Sequence, residues 1–152
     1  MRIALGADHA GVVLKEQIKR YLDERRVEYT DFGTDSTDAV DYPDYAAKVA
    51  REVAGGAYDR GILFCGSGIG MAIAANKVPG IRAAPIVDKA SARLSRSHND
   101  ANVLSLAARL TAAEEARTFV QIFLDTPFEG GRHQRRVSKI AALDHSAVGK
   151  TV

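Results

Sequence analysis

The only cysteine of the chain, Cys65, closes a short apolar run (Ile62, Leu63, Phe64) and opens a glycine-rich turn, Cys65-Gly66-Ser67-Gly68-Ile69-Gly70. A thiol has a pKa of about 8.5, and a helix amino terminus or a cationic neighbour lowers it enough to give a usable base or nucleophile. Residues Met71 to Asn76 read as a helix that this turn opens. Its N–H donors and the positive end of the helix dipole can then hold an anion. The chemistry suggested is that of a thiolate beside an oxyanion, with Ser67 adding a hydroxyl donor. A tight strand-to-helix turn accounts for one of the three glycines more easily than for all of them. Read alone, Cys65 also fits a small buried hydrophobe, and a single cysteine excludes an internal disulfide.

Three further groups carry polar chemistry. Asp8-His9 lies in Gly6-Ala7-Asp8-His9-Ala10-Gly11, which does not match the dinucleotide fingerprint; the cysteine loop also falls short of it and lacks the P-loop lysine. Nucleotide binding is disfavoured, and Asp8 alone is equally an N-cap. Arg96-Ser97-His98-Asn99-Asp100-Ala101-Asn102 places an imidazole able to exchange protons near neutral pH at a helix-to-strand junction, where a helix-end histidine and turn-forming asparagines are the plain alternative. Arg132 and Arg136 share one helix face and can grip a phosphate, or simply form a solvated basic face.

The elements that must position these groups follow from periodicity. Short runs rich in Ile, Val, Leu and Phe at 2–6, 28–32, 61–64, 82–87 and 103–106 read as strands. Helical segments fall at 12–25, 42–54, from about 68, 89–95, 111–124 and 132–142. In the first helix Val13, Ile18 and Leu22 face inward while Lys15 and Lys19 stay in water. Thr111 reads as the N-cap of the fifth, with Glu114 completing a capping box.

Alternation of strand and helix predicts an α/β fold, a three-layer Rossmann-like or flavodoxin-like domain with a five-stranded parallel sheet in the order 2-1-3-4-5. Its switch point lies between strands one and three, which delivers Asp8-His9 and the Cys65 loop to one crevice. Residues 1–152 form one domain, able to bury roughly two-thirds of its unfolded surface; residues 144–152 read as a tail that frays or reaches a neighbouring subunit.

Composition is that of an ordinary globular protein, 46% hydrophobic and 26% charged. A net charge of +2 gives no footprint for nucleic acid. No apolar run reaches the length of a membrane span, and Asp8 interrupts any secretory signal, so the chain reads as cytoplasmic.

Taken in order, the Asp8-His9 turn, Cys65 to Gly70, His98 to Asn102, Arg109 and the Arg132/Arg136 pair resemble the type B ribose-5-phosphate isomerases, a family that includes isomerases of six-carbon sugar phosphates. The resemblance runs from the first strand to about Leu143. It implies interconversion of an aldose phosphate and a ketose phosphate through an enediolate, after ring opening, with no cofactor and no metal. It implies that Cys65 shuttles the proton between C1 and C2 while Ser67 and the loop Gly66, Gly68, Ile69 and Gly70 steady the oxyanion. By the same match His98 helps open the ring, Asp8 assists at the ring oxygens, Asn99 binds hydroxyls and Tyr42 lines the pocket. His9, Arg109, Arg132 and Arg136 hold the phosphate. The resemblance implies a homodimer with sites shared across its interface, a tetramer being the alternative.

Three positions depart from patterns seen among relatives. One branch carries a glutamate base where this chain has Met71, many have threonine in place of Ser67, and Ala107-Ala108 precedes Arg109 where a glycine is common. Ribose 5-phosphate and ribulose 5-phosphate are the expected pair. A six-carbon sugar 6-phosphate, a non-catalytic phosphosugar-binding module and a thiol hydrolase are the competing readings.

Overall fold

In the computed structural model, residues 1–145 are described. Strands and helices alternate: β1 (Arg2–Ala7), α1 (Val12–Glu24), β2 (Glu28–Asp31), α2 (Tyr42–Ala54), β3 (Arg60–Cys65), α3 (Ile69–Ala75), β4 (Ala83–Ile86), α4 (Lys89–Ser97), β5 (Val103–Ala107), α5 (Ala113–Asp125) and α6 (Arg132–Leu143). All strand pairs are parallel.

Side chains alternate across β3, so its two faces fill two cores. Ile62 and Phe64 pack with Leu14, Ile18 and Leu22 of α1 and with Phe119, Val120 and Phe123 of α5. Leu63 and Cys65 face Val49 and Ala50 of α2 and Met71 of α3. Helices thus cover both faces of the sheet, as the continuous apolar run of β3 requires.

The strand order is β2-β1-β3-β5-β4, which corrects the expected order at its last two places. Every residue of β5 is buried, whereas β4 is mostly half-buried or exposed and contains Pro85. Proline cannot donate to the ladder and belongs at an edge, so β5 takes the inner position beside β3. The switch point between β1 and β3 is unaffected.

Two other expectations change. Lys15 is fully buried and Val13 is 65% exposed. The Lys15 stem lies along the core while Nζ donates to the Thr34 carbonyl at 2.6 Å and pairs with Asp31 Oδ2 at 2.8 Å. Thr111 does not cap α5: the helix starts one residue later than that cap implies, and the Glu115 carboxylate accepts from the Ala112 N–H at 3.3 Å. Of the expected tail, Asp144 accepts from the Gly80 N–H at 2.8 Å, and residues 146–152 lie outside the described part.

Candidate active site

The period-two alternation of β3 aims the Cys65 side chain at the α2 and α3 face, where it is 4% exposed. Its Sγ accepts from the Gly68 N–H at 3.2 Å. Gly68 takes a left-handed conformation, φ +74°, as N-cap of α3, and its carbonyl accepts from Ser105 Oγ of β5 at 2.6 Å. Ser67 Oγ accepts from the Ile69 N–H at 3.3 Å. Two N–H groups of the loop therefore serve its own side chains.

The flanking glycines have separate reasons. A Cβ at Gly66 would stand 2.7 Å from Arg109 Nη1, and one at Gly70 would stand 2.7 Å from the Tyr42 ring. Both side chains lie directly on bare backbone. Met71, where a branch of relatives carries a carboxylate, is fully buried in the core between α2 and α3.

Asp8 follows β1, and its own N–H donates to the Phe64 carbonyl at 3.1 Å. Its Oδ1 accepts from Ala10 N–H at 3.0 Å and Gly11 N–H at 3.1 Å, which caps the turn ahead of α1. A Cβ on Gly11 would fall 2.2 Å from the Phe64 carbonyl oxygen, so only glycine lets this turn sit on β3. His9 Nδ1 accepts from the Val40 N–H at 3.2 Å. The neutral ring then carries its proton on Nε2, free to donate elsewhere.

These residues share a cavity of about 440 Å³ beyond the carboxyl ends of β1 and β3, lined by Asp8, Tyr42, Cys65, Gly66, Ser67, Ile69, Gly70 and Arg109, together with Ile73. Ile73 has no role in the sequence reading. Its spacing from Ile69 on one helix face is the signal for it.

His98, Asn99, Arg132 and Arg136 are not in that cavity. Helix α4 runs back to the amino-terminal end of the sheet, and His98 is its C-cap. The His98 ring stacks on His133 of α6 with centroids 4.1 Å apart and planes at 14°. His133 is 6% exposed, with Nε2 3.7 Å from Glu129 Oε2. Burial, reinforced by the neighbouring His98 and Arg132, holds the His133 imidazole below the usual histidine value. Asn99 borders a different cavity, of about 530 Å³, beside Pro85 and Ile140. Arg132 and Arg136 are exposed on α6. The polar residues thus form two clusters at opposite ends of the sheet.

The sequence model of the ribose/galactose isomerase family matches residues 3–140, a span that includes both clusters. The chain belongs to the ribose/galactose isomerase family. Ribose-5-phosphate isomerase B of Escherichia coli (strain K12) is 50% identical over 143 residues, covering 94% of this chain and 96% of that protein. The solved structure of Clostridium thermocellum ribose-5-phosphate isomerase B superposes with a TM-score of 0.93 at 49% identity, over 95% of this chain and 97% of that one. Ribose-5-phosphate isomerase B of Mycoplasma genitalium, solved with bound ribulose-5-phosphate, gives 0.92 at 42% identity, over 95% and 97%. Within this ribose/galactose isomerase fold, no helix of the described residues is long and apolar enough to cross a membrane.

Proposed function

We propose that this chain interconverts ribose 5-phosphate and ribulose 5-phosphate without a cofactor or metal, as a cytoplasmic homodimer with shared sites or a tetramer built from such dimers. The observation that carries the reading is the Cys65 sulfur in the cavity at the switch point, with a carboxylate (Asp8), a hydroxyl (Ser67) and a guanidinium (Arg109) among otherwise largely apolar walls.

A C–H next to a carbonyl is a weak acid, so base and oxyanion stabilisation must act together. In the open-chain aldose, the Cys65 thiolate takes the proton from C2 and the electron pair moves through C1 onto O1, giving the enediolate. A proton passes from O2 to O1, the thiol returns its proton to C1, and the ketose results with the thiolate restored. Ser67 Oγ and the loop N–H groups other than those of Gly68 and Ile69, which serve Cys65 and Ser67, steady the developing charge, and Asp8 assists at the ring oxygens. His9 Nε2–H and Arg109 hold the phosphate.

His98, Asn99, Arg132 and Arg136 act in this scheme from a second copy of the chain. His98 opens the furanose ring, Asn99 binds hydroxyls and the arginines complete the phosphate grip. The family relationship supports this division, as does the placement of the two clusters.

Incubation with ribose 5-phosphate in deuterated water tests the reading: deuterium enters the sugar at the carbons flanking the transfer and ketose accumulates. Cys65→Ala abolishes both, a loss of about 10³-fold or more, while substrate binding persists. Unimpaired turnover in that variant would rule out the thiol as base, and an absence of exchange in the unaltered protein would favour a phosphosugar-binding module.

A further inference from the structure

At the amino-terminal end of the sheet, remote from Cys65, three arginines converge on a cavity of about 570 Å³. Arg60 opens β3, Arg82 immediately precedes β4 and Arg96 lies in the last turn of α4. A parallel sheet brings its strand starts to one end, and so brings these side chains together.

The negative charge nearby is already committed. Asp59 Oδ2 accepts from the Arg2 N–H at 2.6 Å. Asp100 is shared, its Oδ1 accepting from Arg96 Nη1 at 2.8 Å and its Oδ2 from Arg82 Nη2 at 3.3 Å. Among the described residues no carboxylate lies within ion-pair distance of Arg60, whose hydrogen bonds go through Nη1 to the carbonyls of Phe123 and Leu124.

A guanidinium carries five N–H donors, and here many are unused. Among the described residues Arg96, which is 6% exposed, donates only through Nη1, to Asp100 and to the Ala101 carbonyl, and its buried Nε has no partner. Burial pushes the Arg60 pKa down to about 10 and the nearby Arg96 charge adds to the effect, with Asp100, Asp59 and Asp125 opposing it, so both guanidinium groups are charged at neutral pH. Asp100 is a single carboxylate shared by Arg82 and Arg96, so positive charge is in excess where burial makes it costly. An anion between the two forks would offset the excess positive charge and accept from the guanidinium N–H groups that line the cavity, though not from the buried Arg96 Nε.

We propose that Arg60, Arg82 and Arg96 form a second anion site, which binds inorganic phosphate or a phosphate monoester at the end of the sheet opposite the candidate active site. Planar guanidinium forks match phosphate oxygens, and a tetrahedral anion accepts from several directions at once. The site stands independently of the isomerase reading.

Titration of the full chain with inorganic phosphate, followed residue by residue in amide NMR spectra, tests it. Saturable millimolar shifts are expected at residues 59–60, 82, 96 and 100–102, separate from any at residues 8–9, 65–70 and 98–99. Arg60→Gln should weaken the first set about tenfold and leave the second set and catalysis unchanged. Arg60→Lys, which keeps the charge and loses the fork, should weaken it by a smaller factor and covers the case in which the glutamine variant does not fold. A parallel titration with glycerol 2-phosphate identifies the source: tighter binding of the ester points to a phosphorylated metabolite, tighter binding of phosphate to the free ion. Shifts that sodium chloride reproduces at equal ionic strength, or that persist undiminished in both Arg60 variants, would overturn the proposal.

Discussion

Cys65 and His98 stand at opposite ends of the parallel sheet. Cys65 is opposite Ala107 at the carboxyl end of β5, while His98 ends α4 ahead of the amino-terminal end of β5. Five residues of strand span about 17 Å, too far for one substrate to touch both. If both act on one sugar, the second comes from another copy of the chain. Cys65→Ala and His98→Asn should therefore each be impaired alone and complement when mixed and reassembled. In a mixed dimer one site carries both changes and the other neither, so random pairing restores about a quarter of the activity. Assay of refolded mixtures checks this, and a mixture no better than its components would place the whole site within one chain.

Gly66 and Gly70 are expected to separate phosphate holding from packing. A methyl at position 66 meets the Arg109 guanidinium and one at position 70 meets the Tyr42 ring. Both Arg109 and Tyr42 are exposed, so each can move aside with little loss of stability. Gly66→Ala should raise KM about tenfold with a Tm near that of the unaltered chain, since an Arg–phosphate contact is worth about 1.5 to 3 kcal/mol. Gly68→Ala differs because φ is +74° there and a Cβ would stand 3.1 Å from the Leu106 backbone, and it should cost more than about 1 kcal/mol of stability. Steady-state kinetics beside thermal melts distinguish the two behaviours.

Much of this was legible along the chain because neighbours in sequence decide it. Helix α2 runs from Tyr42 to Ala54 as read, since Pro43 sits in its first turn and Gly55-Gly56 stop it. The loop from Cys65 to Gly70 announces itself by composition. Strand order is different: winding handedness allows β3 either neighbour, and the distinction between β4 and β5 rests on Pro85 as an edge marker and on the burial of all of β5. Lys15 looked wet because periodicity treats lysine as polar. Its partners Asp31 and Thr34 reach it only through the fold. The stack of His98 on His133 is likewise tertiary, joining residues from α4 and α6 that share no local pattern.

The Lys15–Asp31 pair should be a large contributor to stability. Lys15 Nζ is fully buried, and besides Asp31 it holds the Thr34 carbonyl, which anchors the loop leading to Tyr42. Lys15→Met leaves Asp31 with Lys19, at 3.2 Å, as its remaining cation and strands the Thr34 carbonyl, so the loss stays below the about 3 to 5 kcal/mol typical of a buried charge left with no partner. A fall in Tm of up to about 10 °C is expected for a chain of this size. Lys15→Met combined with Asp31→Asn should recover part of that loss. Thermal melts of the single and double variants decide it; equal loss in both would show that the Thr34 contact, not the ion pair, carries the effect.

His133 makes stability depend on pH in a predictable direction. In the unfolded chain the imidazole takes up a proton near pH 6.5, whereas burial beside His98 and Arg132 lowers its folded value. Between the two values the unfolded state binds more protons, so stability falls as pH drops through that window and is fully present above it. The Glu129 carboxylate, 3.7 Å from Nε2, opposes the shift, and Glu129→Gln should steepen the loss. His133→Gln should flatten it, since glutamine does not titrate. Urea midpoints measured from about pH 7 to about pH 5 for the three proteins give the comparison. Parallel curves for the His133→Gln variant and the unaltered chain would assign the pH dependence to other groups.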